Sequence, residues 1–128
     1  MAMDFEQALR YELSLVSAVT NKVYPLNAPE QAIEPFVIYT SSEGQREQNL
    51  NGWATMREVD CEIQVVATSY GDVKSITKDV ITKLLSMLNR SIGVDGVLIR
   101  DLEYDKPTEL FDQDLQQYRS VIDIRVRY

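Results

Sequence analysis

One alternating stretch, WATMREVDCEIQVVAT from Trp53 to Thr68, limits the folds open to this chain more than any other feature. Side chains alternate between the two faces of a β-strand. One face is apolar from Val59 onward and comprises Thr55, Arg57, Val59, Cys61, Ile63, Val65 and Ala67. The other comprises Met56, Glu58, Asp60, Glu62 and Gln64. The pattern predicts a strand with one side against a core and the other against water or a charged partner.

Two segments have the spacing of amphipathic helices. Asp4 is suited to cap a helix with apolar positions at Phe5, Ala8, Leu9, Leu13 and Val16, and Asn21 and Pro25 end it. Ser69 is suited to cap a second helix, from Asp72 to Asn89. Its predicted apolar stripe comprises Val73, Ile76, Val80, Ile81, Leu84, Leu85 and Leu88.

The remaining apolar runs predict three more strands: PFVIYT, VLIRDLEY and YRSVIDIRVRY. The order helix, strand, strand, helix, strand, strand predicts an α+β fold with a four-stranded antiparallel sheet and two helices packed on one face. This is a circular permutation of the ferredoxin-like plan. A right-handed crossover gives the strand order 3-4-2-1.

In that order the second strand neighbours the fourth, and their outward charges are opposite. We expect a charged sheet face formed by Glu58, Asp60, Glu62, Arg119, Arg125 and Arg127.

Two long polar connections interrupt the predicted strands. The first, Ser41 to Gly52, is far longer than a tight hairpin requires, and a structureless connection of that length is usually functional or disordered. We call this connection the arm, and its candidate contact residues, with the tryptophan that follows it, are Gln45, Arg46, Glu47, Gln48, Asn49, Leu50, Asn51 and Trp53. Trp53 fits an interface anchor and the end of a core equally well. The second connection, Asp105 to Gln117, contributes Leu110, Phe111, Asp112 and Asp114.

Pro25 to Pro35 contains three of the four prolines. Proline lacks a backbone donor and has a fixed φ, so this segment is predicted to be an extended crossing segment outside helix and sheet interiors.

The composition argues against enzymes and metal proteins. The 128 residues fit a single domain and contain no histidine, which removes the commonest general base and metal ligand. Asp101, Glu103 and Asp105 share one side of the third strand, but a charged edge that discourages strand pairing is the favoured interpretation. Asp112 and Asp114 begin like a calcium loop, yet Gln117 stands where that loop requires glycine. We therefore expect no catalytic, metal or cofactor site.

The net charge of −7 argues against a protein that wraps nucleic acid. The single cysteine, Cys61, is expected to be a small buried residue in a protein made in a reducing cytoplasm. No apolar run approaches the roughly 18 residues of a membrane span.

The run NKVYPLNAPEQAIEPFVIYTSSEG, a polar insertion, EIQVVATSYGDVKSITKDVITKLLSML and an alternating final strand occur in an order that resembles the tail-completion, or tail-to-head joining, proteins of long-tailed bacteriophages and prophages. The resemblance implies a structural protein made in the bacterial cytoplasm. It implies a ring, usually a hexamer, at the head-proximal end of the tail, which ends tube polymerisation and docks to the head connector. The implied partners are other copies of the chain, the tail tube protein and the connector. DNA would pass through the channel without specific binding.

A second hypothesis comes from another functional class. A monomeric α+β domain can bind a small ligand or a peptide on an open sheet face.

Overall fold

The computed structural model describes residues 3–41, 46–49 and 52–128, with side chains described for residues 3–41 and 57–128. Two α-helices and seven strands follow one another along the chain. In order they are α1 Phe5–Ser14, a short 3-10 helix Ser17–Val19, β1 Val23–Pro25, β2 Phe36–Ser41, β3 Arg46–Asn49, β4 Gly52–Ala67, α2 Tyr70–Ser86, β5 Asp101–Tyr104, β6 Thr108–Asp112 and β7 Gln117–Arg127.

A mixed sheet is built around the long antiparallel pair of β4 and β7. Its order is β1-β2-β4-β7-β5, and β6 pairs with β7 beyond the end of β5. β1 runs parallel to β2, whereas the other pairs are antiparallel. β3 extends this arrangement by pairing with the first residues of β4.

The predicted α+β class is confirmed, but the four-stranded antiparallel sheet is wrong. The four predicted strands correspond to β2, β4, β5 and β7 and keep the expected relative order. The extra strands are short. β1 lies at the start of the proline-rich segment, and β3 and β6 lie inside the two long polar connections. Short edge strands with few buried side chains carry little hydrophobic alternation, so the sequence pattern does not reveal them.

Both helices begin at the predicted caps. The Asp4 carboxylate accepts a hydrogen bond from the Gln7 N–H at 2.8 Å, and the Gln7 side chain accepts one from the Asp4 N–H in return. Ser69 Oγ accepts from the Asp72 N–H at 3.1 Å. α1 ends at Ser14 and α2 at Ser86, both earlier than predicted.

A single core lies between the helices and one face of the sheet. The buried side chains of α2 are Val73, Ile76, Thr77, Val80 and Leu84, and those of α1 include Phe5, Leu9 and Leu13. They pack against the predicted apolar face of β4, of which Val59, Cys61, Ile63, Val65 and Ala67 are buried. Leu85 and Leu88, placed in the apolar stripe by the sequence, are exposed. Met87 is buried in their place, because the helix has ended and the chain turns.

Candidate assembly surfaces

The sheet face opposite the helices, here called the polar face, carries the predicted pairs of opposite charges. Glu58 lies opposite Arg127 and Asp60 opposite Arg125 in the β4–β7 register. Arg125 Nε lies 3.1 Å from Asp60 Oδ1 and 3.4 Å from Glu58 Oε1, and Arg127 Nε lies 3.1 Å from Glu58 Oε2. The hydrogen bond to Asp60 raises the pKa of Arg125 above its ordinary value. These pairs hold the two central strands in register.

The other two members of the predicted charged face behave differently. Arg119 lies opposite Val66 and donates a hydrogen bond to Gln64 Oε1 at 2.9 Å. Glu62 lies opposite Asp123, so two like charges are neighbours. The prediction that Glu62 and Arg119 belong to ion pairs between β4 and β7 is therefore wrong, because the register offsets them by several residues.

One part of the polar face is strongly acidic. Asp60 and Arg125 line an open concavity of about 560 Å³. Its lining also includes Thr40, Ser41, Glu62, Glu103, Asp105 and Asp123. The predicted acidic edge is thus part of a larger acidic surface. Arg127 Nη1 lies 3.6 Å from Asp101 Oδ2, so the third acid of that edge contributes to the ion pairs instead.

The first predicted arm contains a strand. Arg46–Asn49 pairs antiparallel with β4, with Arg46 opposite Arg57, Gln48 opposite Trp53 and Asn49 opposite Gly52. The idea of a fully structureless connection is therefore wrong for Arg46, Glu47, Gln48 and Asn49. Gln45, Leu50 and Asn51 lie outside the described residues, and the contact roles of all these residues and of Trp53 stay predictions.

The β3–β4 pair extends past the end of the sheet. β2 pairs with β4 only as far as Cys61, and β7 only as far as Glu58, with Tyr128 bonded to Arg57. The first five residues of β4, before Arg57, therefore continue beyond the main sheet by roughly 17 Å at the usual rise of a strand.

The second predicted connection is a β-hairpin formed by β6 and β7. Leu110 lies opposite Arg119, Phe111 opposite Tyr118 and Asp112 opposite Gln117. Asp112 Oδ1 accepts hydrogen bonds from the N–H groups of Asp114 and Leu115 at 3.0 and 3.1 Å, which stabilises the turn. Asp112 therefore shapes the hairpin, while Leu110 and Phe111 are exposed.

Three aromatic side chains meet beside this hairpin and form what we call the aromatic cluster: Tyr70, Phe111 and Tyr118. The Phe111 and Tyr118 ring centroids lie 4.7 Å apart, and those of Tyr70 and Tyr118 lie 6.1 Å apart. Tyr70 is 52% exposed and Phe111 45%. Aromatic residues are enriched at protein interfaces, so this cluster is a candidate contact surface. The sequence analysis identified Phe111 but missed Tyr70, which the fold brings beside it.

Lys74 stands between α2 and this hairpin. Its Nζ lies 2.6 Å from Glu109 Oε1 and 5.5 Å from the Tyr70 ring centroid. The hydrogen bond to Glu109 raises the pKa of Lys74 above its ordinary value. The lysine therefore ties the start of α2 to β6 and orients Tyr70.

The proline-rich segment connects β1 to β2 across the polar face, and we call residues 26–35 the strap. Gln117 of β7 donates a hydrogen bond to Glu34 of the strap, and Phe36, Ile38 and Val66 are buried on this face. The predicted crossing from one strand to another is present, but Pro25 belongs to β1 and the strap contains turns, so the segment is not extended throughout. Leu26 and Ile33 of the strap are 78% and 71% exposed, and sequence reasoning missed both. The available signal was two large aliphatic residues in an otherwise polar, proline-rich segment.

The described residues contain neither a metal-binding group of side chains nor a membrane-spanning helix. Among them, no group of three or more histidine, cysteine or acidic side chains is arranged to hold a metal ion. No described helix is long and apolar enough to cross a membrane.

Comparisons with known proteins identify the kind of molecule. The family described as tail completion protein gp17 matches residues 7–128. A chain from a solved structure titled "Virion of native gene transfer agent (GTA) particle" has a similar fold, with a TM-score of 0.65 and 16% sequence identity over 95% of this chain and 89% of that chain. No curated protein matches the chain significantly.

The fold and the family match define a structural protein of the bacteriophage tail. The chain belongs to the tail completion protein gp17 family, as its sequence resemblance predicted. This is a family of virion structural proteins and not a class of enzymes.

Proposed function

We propose that this protein forms a ring, a hexamer as the sequence resemblance implies, at the head-proximal end of the tail. There it stops polymerisation of the tail tube and joins the tail to the head connector. The observation that carries this proposal is the family match, which spans nearly the whole chain. The match includes most of α1 and all the elements that follow it.

The geometry supports a molecule that contacts different partners at its two ends. The β3–β4 pair extends past the end of the sheet where β7 finishes, and the β6–β7 turn lies at the end where β7 begins. A joining protein needs separate surfaces for the tube and the connector, and this arrangement supplies two extensions that point in opposite directions along the strands. Leu110, Phe111 and Asp114 are the proposed contacts of the second extension.

The charge distribution supports passage of DNA without specific binding. The chain has a net charge of −7, and acidic side chains dominate one part of the polar face. Phosphate contacts made by basic side chains would hold DNA in a channel, whereas an acidic wall repels it.

Light scattering and electron microscopy of the purified protein test this function. We expect rings, either from the protein alone or after its cognate tail tube protein is added. A protein that stays monomeric in both conditions would contradict the proposal and favour the monomeric ligand- or peptide-binding hypothesis.

Deleting Gln45 to Asn51 tests the proposed role of the arm. We expect the shortened protein to keep a cooperative thermal unfolding transition, because the described core is built from other segments, but to fail in ring formation or tail joining. A control variant carries Asp79→Asn, at an exposed position of α2 outside the proposed contact surfaces, and should assemble like the wild type. Unimpaired assembly after the arm deletion would remove the arm from the interface.

A further inference from the structure

The strap has a strained backbone at Leu26. The residue has a φ of 64°, in the left-handed region that favours glycine and asparagine. The Asn27 N–H donates to the Pro25 carbonyl at 2.6 Å, two residues back, which makes Leu26 the centre of a γ-turn with positive φ, a rare and strained turn. The Leu26 N–H donates to the Tyr39 carbonyl at 2.9 Å, so the turn is anchored to β2.

Leu26 differs in residue type from the other described residues with positive φ. The other non-glycine residues described with positive φ are Asn21, Asn89, Asp95 and Gln116, all of them polar. Leu26 is the only aliphatic one, and its side chain is 78% exposed. Strained residues that the surrounding structure holds in place are concentrated at functional sites. A leucine held in the open by its backbone is therefore suited to enter a pocket on another molecule.

The structure offers a complementary surface at the opposite edge of the sheet. β1 and Leu26, which follows it directly, lie at one edge, and β6 with the aromatic cluster lies at the other. β2, β4 and β7 separate them, so the two edges are roughly 19 Å apart at the usual strand spacing. A closed ring needs two different patches on each copy, so that one patch of each copy meets the other patch of the next.

Charge favours the same pairing. The strap contains Glu30 and Glu34 and no basic residue. Lys74 and Lys78 follow Tyr70 at intervals of four along α2. Lys74 is already paired with Glu109, so the exposed Lys78 is the basic side chain that the aromatic cluster offers to the acidic strap. Acidic and basic flanks around an apolar centre are typical of a specific interface.

We propose that Leu26 of one copy docks against the aromatic cluster of the next copy. The inference rests on the proposed function, because it names the surfaces that close the proposed ring. Each copy then contacts one neighbour through Leu26 and the other neighbour through its aromatic cluster.

Cross-linking between copies tests the pairing directly. A protein with both Leu26→Cys and Phe111→Cys, treated with a short bismaleimide under ring-forming conditions, should give a ladder of covalent multimers up to the full ring. The two positions are too far apart for a link within one copy. The matched control combines Leu26→Cys with Leu88→Cys, an exposed leucine at the end of α2. The wild type, whose only cysteine is buried, controls for background.

A second variant separates an interface role from a structural one. Leu26→Asn suits the positive φ and removes the aliphatic side chain. It should raise the thermal midpoint of the monomer and yet raise the concentration needed for half-assembly by roughly tenfold or more, as for an interface hot spot. A residue with only a structural role would not move these two quantities in opposite directions.

The outcomes distinguish the two proposals. If the wild type forms no ring, alone or with tube protein, the proposed function fails and this pairing fails with it. If the wild type forms rings but the Leu26 and Phe111 pair gives no ladder, or the control pair gives an equal one, only the pairing is wrong. Unchanged assembly by Leu26→Asn would also overturn it.

Discussion

Arg90 donates two hydrogen bonds to the carboxylate of Glu12, at 3.1 and 2.5 Å, and joins the end of α2 to α1. The Glu12 side chain is only 3% exposed, and its Oε2 also accepts from the Gly93 N–H at 2.9 Å. Burial raises the pKa of Glu12, but the hydrogen bonds from Arg90 and Gly93 outweigh burial, so the pKa lies below its ordinary value. One buried carboxylate thus fixes the loop that leads from α2 to β5.

Glu12→Gln should lower the free energy of unfolding by about 1–3 kcal/mol. The amide of glutamine has nearly the same size as the carboxylate but carries no charge. The hydrogen bonds from Arg90 and Gly93 would therefore become weaker, because hydrogen bonds to an ionised group are stronger than those to a neutral one. Arg90 is 40% exposed and stays hydrated, which limits the loss. Urea denaturation measures the change. Asp79→Asn, on the exposed side of α2, is the control and should stay within about 0.5 kcal/mol of the wild type. Equal effects of the two substitutions would contradict this role of Glu12.

The contribution of Glu12 should depend on pH. Its pKa is lower in the folded state than in the unfolded state, where the ordinary value is near 4.5. The stabilisation is therefore complete above that value and is lost as the pH falls through the lower folded-state pKa. The stability difference between wild type and Glu12→Gln should be constant from pH 7 to 6 and shrink towards pH 3. A difference that does not change over this range would show that the carboxylate charge is not its source.

Position 93 requires glycine both because of its backbone conformation and because neighbouring atoms leave no room for a Cβ. It has a φ of 65°, and an added Cβ would lie 2.8 Å from Met3 Sδ and 3.0 Å from Ala8 Cα. Gly93→Ala should therefore destabilise the protein by about 2–4 kcal/mol through strain and crowding against α1. Gly71→Ala is the control, since no atom lies within 4 Å of its added Cβ and the residue is helical. That change should leave stability unchanged or raise it by up to about 1 kcal/mol. Thermal unfolding of both variants checks the contrast.

The elements that sequence reasoning found are those with strong local signals. The cap at Asp4, the alternation of β4 and the stripe of α2 follow from residues close together in the chain. The order of the four main strands follows from the handedness of the crossovers. β1 and β6 could not be found in this way, because β1 has three residues and no side chain of β6 is fully buried. β1 is stabilised by its pairing with β2, and β6 is stabilised by its pairing with β7 across the turn that joins those two strands.

The candidate surfaces were predictable only in part. Phe111 was identified from its place in a polar connection, but its packing on Tyr118 and its closeness to Tyr70 depend on the pairing of β6 with β7. The strain at Leu26 depends on backbone geometry that its residue type disfavours, so no propensity points to it. The predicted charge pairing was confirmed at Asp60 and Glu58 and wrong at Glu62, because the sequence determines which face a charge is on but not its register.

The register produces one unfavourable pair that can be tested. Glu62 and Asp123 lie directly opposite each other on the polar face, and Asp123 is exposed. Asp123→Lys replaces a like-charge neighbour with an opposite charge and should raise the free energy of unfolding by about 0.2–1 kcal/mol. Asp60→Lys is the matched control, because it introduces a like charge opposite Arg125 and should lower the thermal midpoint. Both substitutions add the same positive charge to a protein of net charge −7, but they are expected to change stability in opposite directions. That contrast would exclude a general stabilising effect of added positive charge. Thermal unfolding at low salt measures both changes, and the gap should narrow in high salt because exposed charges are screened. If both lysines shift the midpoint in the same direction, net charge governs stability and the register of β4 and β7 does not.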